Sequence, residues 1–392
     1  MIGDLEKKIT AIIPEIKELR HKIHANPEIG FQEVETQRLV TDFLSGLNNM
    51  SVKSPVAKTG VVGLLQGGSD GKVLGLRAEM DALPMEEKTG LVYSSKQMGY
   101  MHACGHDGHV ANLLATARIL SENSHLLHGS IKFIFQPGEE GFGGGKLMVE
   151  EGVLDDPPVD GIIALHGWPD LDVGKIGIKY GAHLASTDDF RLEVIGKGTH
   201  GANPHLGIDP VVIAARIVDA LQVINSRMKN PVTPLVITVG KIHGGTAVNV
   251  IPDCVVLEGT VRTLSSEMRA NVPKQIEQVA RSTAEAFGGK INLTIKEGYP
   301  VTINDDKMVD FIVDVARKNL GDENVLIIDQ PVMGGEDFSY YLEKIPGAMF
   351  RLGLGASCES LHSSAFDFND EALKTGILML ARLAEEFLKD EG

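Results

Sequence analysis

The densest group of side chains that could do chemistry is the octapeptide HACGHDGH, residues 102–109. It places histidines, a cysteine and an aspartate at the start of a predicted helix. One glycine separates Cys104 from His106, which lets both side chains turn towards one cation. Thiolate and imidazole are soft to borderline donors, and together with a carboxylate they suit Zn, Mn, Co or Ni rather than a hard, oxygen-only site. The C-x-H spacing is not that of a zinc finger, so a polar loop with a buried thiol is the competing interpretation.

A pair of carboxylates follows the apolar segment FIFQP, where Glu139 and Glu140 are adjacent. Neighbouring carboxylates repel each other, and a cation beside them offsets this repulsion. One of them can ligate a metal while the other takes a proton from an activated water. A solvated acidic pair at a strand end is the alternative. The following GFGGGK is not a phosphate-binding loop, because Glu140 replaces its first glycine and Leu147 follows its lysine.

Two isolated histidines extend the set of possible ligands. His166 ends the apolar segment IIALHG, and His362 lies in the loop LHSSAF before the last predicted helix. Each histidine by itself is equally consistent with a structural role. Together with Cys104, His106 and Glu140, they supply five nitrogen, sulfur and oxygen donors at predicted strand ends and loops. Such a set suits two divalent ions with a bridging water.

Further polar residues follow other strands. Asp81, in LRAEMDALP, is placed to orient a ligand imidazole. The two acids of GGEDF (334–338) follow glycines that suit close approach of backbone to substrate. His200, Asn249 and Arg262 lie in a different part of the chain and can donate hydrogen bonds to a carboxylate or a tetrahedral oxyanion. The alternative for these three is a polar surface.

The elements that must position these groups follow an α/β pattern. Helices are predicted over 5–23 and 108–121, and buried strands over 131–137 and 160–167, which favours a sheet with its site at the strand carboxyl ends. We also predict a hairpin over residues 60–80.

The pattern changes in the middle of the chain. Between 184 and 298 the order becomes β-α-β-β-α-β, a split-βαβ, ferredoxin-like pattern. We therefore predict a discontinuous catalytic domain, 1–183 and 299–392, with an inserted lid domain, 184–298.

Composition excludes several classes of function. The chain has 392 residues and a formal net charge of −16, so a basic footprint for nucleic acid is not expected. It has no apolar run of the length of a membrane span and no apolar signal-peptide core. Three cysteines do not make a disulfide framework, and we expect a cytoplasmic protein.

The motifs HACGHDGH, QPGEEG, ALHGWP, HGANPH and LHSSAF, in this order, resemble the di-metal aminoacylase/carboxypeptidase family of metallohydrolases. The resemblance runs from HKIHANPEIGFQE (21–33) to the final helix. It points to the N-acyl-L-amino acid amidohydrolase branch, which includes hippurate hydrolases, auxin-conjugate hydrolases and N-acetyldiaminopimelate deacetylases. The fold it implies is a zinc-peptidase-like catalytic domain with an inserted lid, which forms a homodimer in many members.

The resemblance also implies roles for individual residues. The metal ligands would be Cys104, His106, Glu140, His166 and His362. Glu139 would be the general base, and Asp81 would orient a ligand. His200 would stabilise the oxyanion, while Asn249 and Arg262 would bind the substrate. One departure is Ser364, where many members of the branch carry proline.

The activity implied is hydrolysis of an N-acyl-L-amino acid by two divalent ions per subunit. A dipeptidase or carboxypeptidase on the same centre is the first alternative. Glu79-x-Asp81 stands where more distant carboxypeptidases carry His-x-Asp, which argues against a plain carboxypeptidase. A catalytically silent relative would have lost a ligand or the base, and none is missing. A cysteine hydrolase using Cys104 would leave the other motifs unexplained.

Overall fold

The computed structural model describes residues 2–389, which divide into two compact units. The first unit comprises the chain up to Gly181, Ile303–Gln330, and the chain from Asp337 onwards. The second comprises Ala182–Thr302 and the short segment Pro331–Glu336. None of the helices within residues 2–389 is long and apolar enough to cross a membrane.

The regular elements are named in chain order. The helices are α1 (Leu5–His24), α2 (Val34–Ser45), α3 (His106–Glu122), α4 (Gly144–Glu150), α5 (Pro210–Val223), α6 (Ser266–Ala286), α7 (Asp306–Leu320), α8 (Ser339–Leu342) and α9 (Ala372–Phe387). The strands of the first unit are β1 (Met50–Val56), β2 (Gly60–Gln66), β3 (Ser69–Glu79), β4 (His128–Gln136), β5 (Gly161–Trp168), β6 (Ile176–Ile178), β15 (Val325–Ile327) and β16 (Gly347–Gly353). The second unit contains β8 (Ser186–Ile195), β9 (Thr199–His200), β10 (Leu235–Gly244), β11 (Val250–Ile251), β12 (Cys254–Thr263) and β13 (Lys290–Glu297). The short strands β7 (Gly181–Leu184) and β14 (Thr302–Asn304) occur where the chain passes between the units.

The first unit is built on a sheet of strand order β1-β2-β4-β3-β5-β16-β6-β15. The central strands β4, β3, β5 and β16 run parallel to one another, so their carboxyl ends lie at one edge. This is the edge at which α/β sheets bind ligands. The large mixed sheet confirms the predicted α/β class.

The predicted hairpin over residues 60–80 is wrong. Both strands form, but β4 lies between them: β2 pairs antiparallel with β4, and β3 pairs parallel with β4. The hairpin partner of β2 is β1. The glycine-rich segment between β2 and β3 lies against the first residues of β4. A Cβ on Gly67 in this segment would lie 2.4 Å from the Gly129 carbonyl oxygen. The glycines therefore permit a close backbone approach as well as a turn.

The helices of the first unit bury apolar faces against this sheet and one another. The helix predicted over residues 5–23 is confirmed as α1, whose apolar face buries Leu5, Ile9, Ile16 and Ile23. Helix α3 contacts both α1 and α9 and is buried almost throughout. It therefore offers a fixed base for the residues at its amino end.

The second unit has the predicted β-α-β-β-α-β order. Its antiparallel sheet has the strand order β10-β12-β8-β13, and α5 and α6 share an apolar core with it. This is the arrangement of a split-βαβ sandwich. The small strands β9 and β11 form a separate antiparallel pair that the sequence did not predict.

Candidate active site

The amino end of α3 carries two of the expected ligands. Cys104 precedes the helix and His106 is its first residue, and both are buried. Gly105 between them has a φ of 86°, a left-handed conformation that favours glycine. The glycine of the C-x-H spacing is thus the residue that turns the chain into the helix.

The five predicted ligands form one continuous cluster. The ligand atoms of Cys104, His106 and Glu140 all lie within 4.8 Å of one another. His166 joins at one side, with its Nε2 atom 3.5 Å from the Cys104 sulfur. His362 joins at the other side, with its Nε2 atom 3.3 Å from the Glu140 carboxylate. Segments far apart in sequence therefore meet at the carboxyl edge of the sheet.

The ring orientations of two histidines suit metal binding. The Nδ1 atom of His106 donates to the backbone carbonyl of Asp81 at 2.9 Å, and that of His166 donates to the Gly167 carbonyl at 2.9 Å. This leaves the lone pair on Nε2 in both rings. The buried Nε2 atom of His106 has no hydrogen-bond partner among residues 2–389, as expected of an atom that would bind a cation.

A second group of possible ligands overlaps the first. Glu79, His106, His109 and His166 also place ligand atoms within 4.8 Å of one another. However, the Nδ1 atom of His109 donates to Glu79 at 3.0 Å, and its Nε2 atom accepts from the Gly167 N–H at 2.8 Å. Both ring nitrogens are therefore in use. We interpret His109 as a structural support of the ligands and not as a ligand.

Asp81 connects two of the predicted ligands. Its backbone carbonyl accepts from His106, and its carboxylate accepts from the Glu140 N–H at 2.9 Å. A second carboxylate oxygen lies 3.4 Å from His106 Nδ1. The side chain is buried just beyond the end of β3. This geometry suits orientation of ligands more than direct contact with substrate.

Burial and charge shift the pKa values of the cluster. Burial lowers the pKa of His106, but Asp81 and nearby carboxylates outweigh burial and raise it to about 10, so a cation would bind at Nε2 in exchange for a proton. Burial raises the pKa of the Cys104 thiol well above its usual range, and Glu140 raises it further. Burial raises the pKa of Glu140, but the hydrogen bond from His362 and other positive charge lower it overall. Carboxylates thus dominate the electrostatics, which favours a bound cation.

Glu139 lies in the loop after β4 and is only 7% exposed. The preceding Gly138 donates its N–H to the buried carboxylate of Glu33 at 2.8 Å, and Thr59 donates its hydroxyl to the same carboxylate. Burial raises the pKa of Glu33 to about 7, against the lowering effect of the Thr59 hydrogen bond. Sequence analysis missed Glu33, although it ends the motif HKIHANPEIGFQE.

The loop that carries His362 has an unusual backbone. His362 has a φ of 63°, a left-handed conformation that costs a non-glycine residue about 1–3 kcal/mol. Its N–H donates to the Ala103 carbonyl at 2.8 Å, which fixes the loop beside Cys104. Ser364, the departure from the family pattern, accepts from the Lys88 N–H at 2.7 Å through its backbone carbonyl.

Two residues of the GGEDF motif have structural roles that the sequence analysis did not predict. The Asp337 carboxylate is fully buried and accepts hydrogen bonds from Arg77, Gln136 and the Gly145 N–H. A Cβ on Gly335 would lie 2.1 Å from the Thr187 side chain. Gly335 therefore serves close packing within the second unit, whereas the approach to substrate that we expected of this motif stays a prediction.

The predicted substrate-binding residues belong to the second unit. His200 lies on β9 and pairs with Val250 of β11, while the Gly201 N–H donates to the Asn249 carbonyl at 2.7 Å. The structure thus brings His200 and Asn249 together. Arg262 lies on β12 in the larger sheet, in register with Thr187 and Val236.

The donors fit a pair of divalent cations. Two imidazoles with open Nε2 lone pairs, a thiol and a carboxylate meet in one buried cluster, with His362 at its rim. Nitrogen and sulfur donors with one carboxylate suit borderline transition metals. The α/β sheet and this centre together define a metal-dependent hydrolase.

Comparison with known proteins identifies its family. Residues 75–386 match Peptidase family M20/M25/M40, and the chain belongs to this family. It is 40% identical over 388 residues to an N-acetyl-L-cysteine deacetylase of Bacillus subtilis, covering 99% of this chain and 90% of that protein. It is 38% identical to a hippurate hydrolase of Campylobacter jejuni, covering 96% and 97% of the two chains. It is also 38% identical to thermostable carboxypeptidase 2 of Saccharolobus solfataricus, covering 98% and 99%.

The fold has a close counterpart among solved structures. A Bacillus subtilis protein described as a dinuclear metal binding peptidase of the M20 family superposes with a TM-score of 0.86 at 35% identity, over 97% of this chain and 99% of that one. The recognised family and the predicted fold are thereby confirmed. The protein is a metallo-amidohydrolase whose side chains suit two divalent ions.

Proposed function

We propose that the protein hydrolyses the amide bond of N-acyl-L-amino acids, such as N-acetyl or N-benzoyl derivatives, to a carboxylate and a free amino acid. The observation that carries this proposal is the cluster of His106 and His166 Nε2 atoms with Cys104 and Glu140, next to Glu139. Relatives named for N-acetyl-L-cysteine deacetylation and hippurate hydrolysis, at 40% and 38% identity, support the substrate class.

The five ligands proposed are Cys104, His106, Glu140, His166 and His362. Divalent ions held there would lower the pKa of a coordinated water and polarise the scissile carbonyl. Glu139 takes the proton from the attacking water and later gives it to the leaving amine nitrogen, which closes the proton balance. Asp81 keeps His106 and Glu140 in place through its two hydrogen bonds.

Residues of the second unit are proposed to bind the substrate. The Nδ1 atom of His200 accepts from the Ala202 N–H at 3.1 Å, which leaves Nε2–H to donate to an oxyanion. Asn249 and Arg262 are proposed to bind the carboxylate or the scissile carbonyl of the substrate, as the resemblance implies.

Free-amine release from N-acetyl-, N-benzoyl- and N-indoleacetyl-L-amino acids tests the proposal. The protein is stripped with a chelator and refilled separately with Zn, Mn, Co or Ni. Wild type should cleave at least one N-acyl amino acid in a metal-dependent way, and Glu139→Gln should lose about 10²–10⁴-fold in kcat while keeping its metal. Full activity in this variant would exclude Glu139 as the base.

A carboxypeptidase or dipeptidase is the second candidate, because a relative of similar identity is named as a carboxypeptidase. Dipeptides and N-blocked peptides in the same assay distinguish the two. Cleavage of peptides without cleavage of N-acyl amino acids would favour this candidate.

We further propose that the bound ions are Zn, Mn, Co or Ni, in keeping with the donor types. A homodimer formed through the inserted domain and a cytoplasmic location remain predictions. Sedimentation of the purified protein tests the first, and fractionation of its native cells tests the second.

A further inference from the structure

A buried arginine joins two segments that carry proposed ligands. The Arg20 side chain of α1 is 0% exposed. It donates from one terminal nitrogen to Asp107 at 2.8 Å and to Asp367 at 3.1 Å, and from Nε to Asp370 at 2.5 Å. Asp107 follows His106 in α3, whereas Asp367 and Asp370 lie in the loop that carries His362. The guanidinium therefore bridges α3 and this loop.

The tie is reinforced on the loop side. Arg20 also donates to the Tyr93 hydroxyl at 3.1 Å, and Tyr93 in turn donates to Asp367 at 2.7 Å. Phe368, in the same loop, packs so closely on α3 that a Cβ at Gly108 would lie 2.4 Å from its ring. Burial lowers the pKa of Arg20, but the carboxylates of Asp107, Asp367 and Asp370 outweigh burial and raise it above its usual value. The cation thus stays charged and offsets charges that burial would otherwise penalise.

The His362 loop depends on such ties. Its ligand residue has an unfavourable left-handed φ of 63° and a side chain that is 54% exposed. By contrast, Cys104 and His106 are held by a helix that is buried on nearly all sides. An unfavourable backbone conformation persists only where surrounding contacts hold it. Loss of the contacts to Asp367 would therefore shift the position of His362 more than the positions of Cys104 and His106.

We propose that Arg20 is a positioning residue that uses α3 as a fixed base to hold the His362 loop. It thereby determines the affinity for the one ion that His362 ligates. The inference rests on the proposed function for the identity of the ligands. Arg20 touches neither ligands nor substrate in this role and acts only through Asp367, Asp370 and Tyr93.

Metal binding to the intact protein tests this role. Stripped protein is dialysed against graded concentrations of Zn, and bound metal is counted by atomic emission. Arg20→Lys removes the guanidinium group that contacts several carboxylates at once. Asp367→Asn removes one negative charge of the loop, and Tyr93→Phe removes one hydroxyl. The matched control is Arg118→Ala, because Arg118 also ties α3 to α1, through Glu15 at 2.7 Å, but reaches no site loop.

Wild type and the control should bind two ions. Asp367→Asn and Arg20→Lys should bind one ion with unchanged affinity and the other at least tenfold more weakly, and Tyr93→Phe should show a smaller effect in the same direction. In the cobalt-loaded variants, the thiolate-to-cobalt absorption of Cys104 should persist. If Arg20→Lys does not fold, Asp367→Asn and Tyr93→Phe give the same information.

Two results would overturn the proposal. In the first, every variant binds both ions with wild-type affinity. In the second, a variant binds both ions more weakly to the same extent, in proportion to its loss of folding stability. The assay is independent of the proposed function. Wild-type protein that binds two ions but hydrolyses no N-acyl amino acid would refute that function while leaving the metal counts of the variants to decide on Arg20.

Discussion

His106 and His109 lie three residues apart in the first turn of α3, yet their rings have different partners. His106 uses only Nδ1, towards the Asp81 carbonyl, and directs Nε2 into the cluster with Cys104 and Glu140. His109 uses both nitrogens, towards Glu79 and the Gly167 N–H. Residue type and spacing make both histidines candidates, but only the first keeps a lone pair available.

This difference predicts opposite behaviour of two matched variants. His106→Asn should lower metal affinity at least tenfold, because the open ring nitrogen is lost. His109→Asn should still bind two ions, since an amide can replace the Nδ1–H towards Glu79. It should lose about 1–3 kcal/mol of stability, because the Gly167 N–H is left without its acceptor. Metal titration and urea unfolding of both proteins check this, and loss of metal in His109→Asn would make His109 a ligand.

The protonation of His24 predicts how stability depends on pH. Burial lowers the pKa of His24, but Asp107 raises it to about 9, above the ordinary value of 6.5. A raised pKa in the folded state adds stability that is complete below pH 6.5 and disappears as pH rises through 9. We expect His24→Gln to be less stable than wild type by about 2 kcal/mol at pH 6.5, and by much less at pH 9.5.

Urea unfolding of metal-free protein at both pH values measures the effect. The exposed His125 offers a control, since its replacement by Gln removes an imidazole that is not buried. A stability difference between wild type and His24→Gln that is the same at both pH values would show that the charge of His24 is not involved.

Glu33 is expected to position the general base. It accepts from the Gly138 N–H, one residue before Glu139. Glu33→Ala should lower kcat about tenfold with little change in KM, since it removes a constraint on the base. Glu33→Gln should stay close to wild type, because its amide oxygen can still accept this hydrogen bond. Steady-state kinetics with an N-acyl amino acid, and metal content as a control, test this. Equal losses in both variants would instead indicate a need for the carboxyl group itself.

The position of β4 between β2 and β3 predicts the cost of a methyl group. Gly67→Ala should lose about 2 kcal/mol of stability, because its Cβ would lie 2.4 Å from the Gly129 carbonyl oxygen. Gly46→Ala is the control, since that residue has a φ of −81° and its Cβ would make only ordinary contacts of 3.5 Å or more. Urea midpoints compare the two. Similar midpoints would contradict the close approach of β4.

The sequence by itself determined the chemistry of the site and the order of the elements. Soft and borderline donors in HACGHDGH, next to the Glu139–Glu140 pair, indicated a metal-dependent hydrolase. Apolar periodicity located helices such as α1, and the β-α-β-β-α-β order indicated the split-βαβ unit. These features could be predicted because ligand preference and amphipathic period depend on residue type and short-range spacing.

Only the tertiary structure decided which strands pair and which polar groups lie together. The alternation of residues 60–80 predicts two strands but cannot show that β4, about 50 residues later, lies between them. In the same way, both ring nitrogens of His109 are occupied by Glu79 and Gly167, and the role that we propose for Arg20 depends on Asp107 and Asp367. Such contacts join residues far apart in the chain, so they depend on how whole elements pack and leave no local pattern in the sequence.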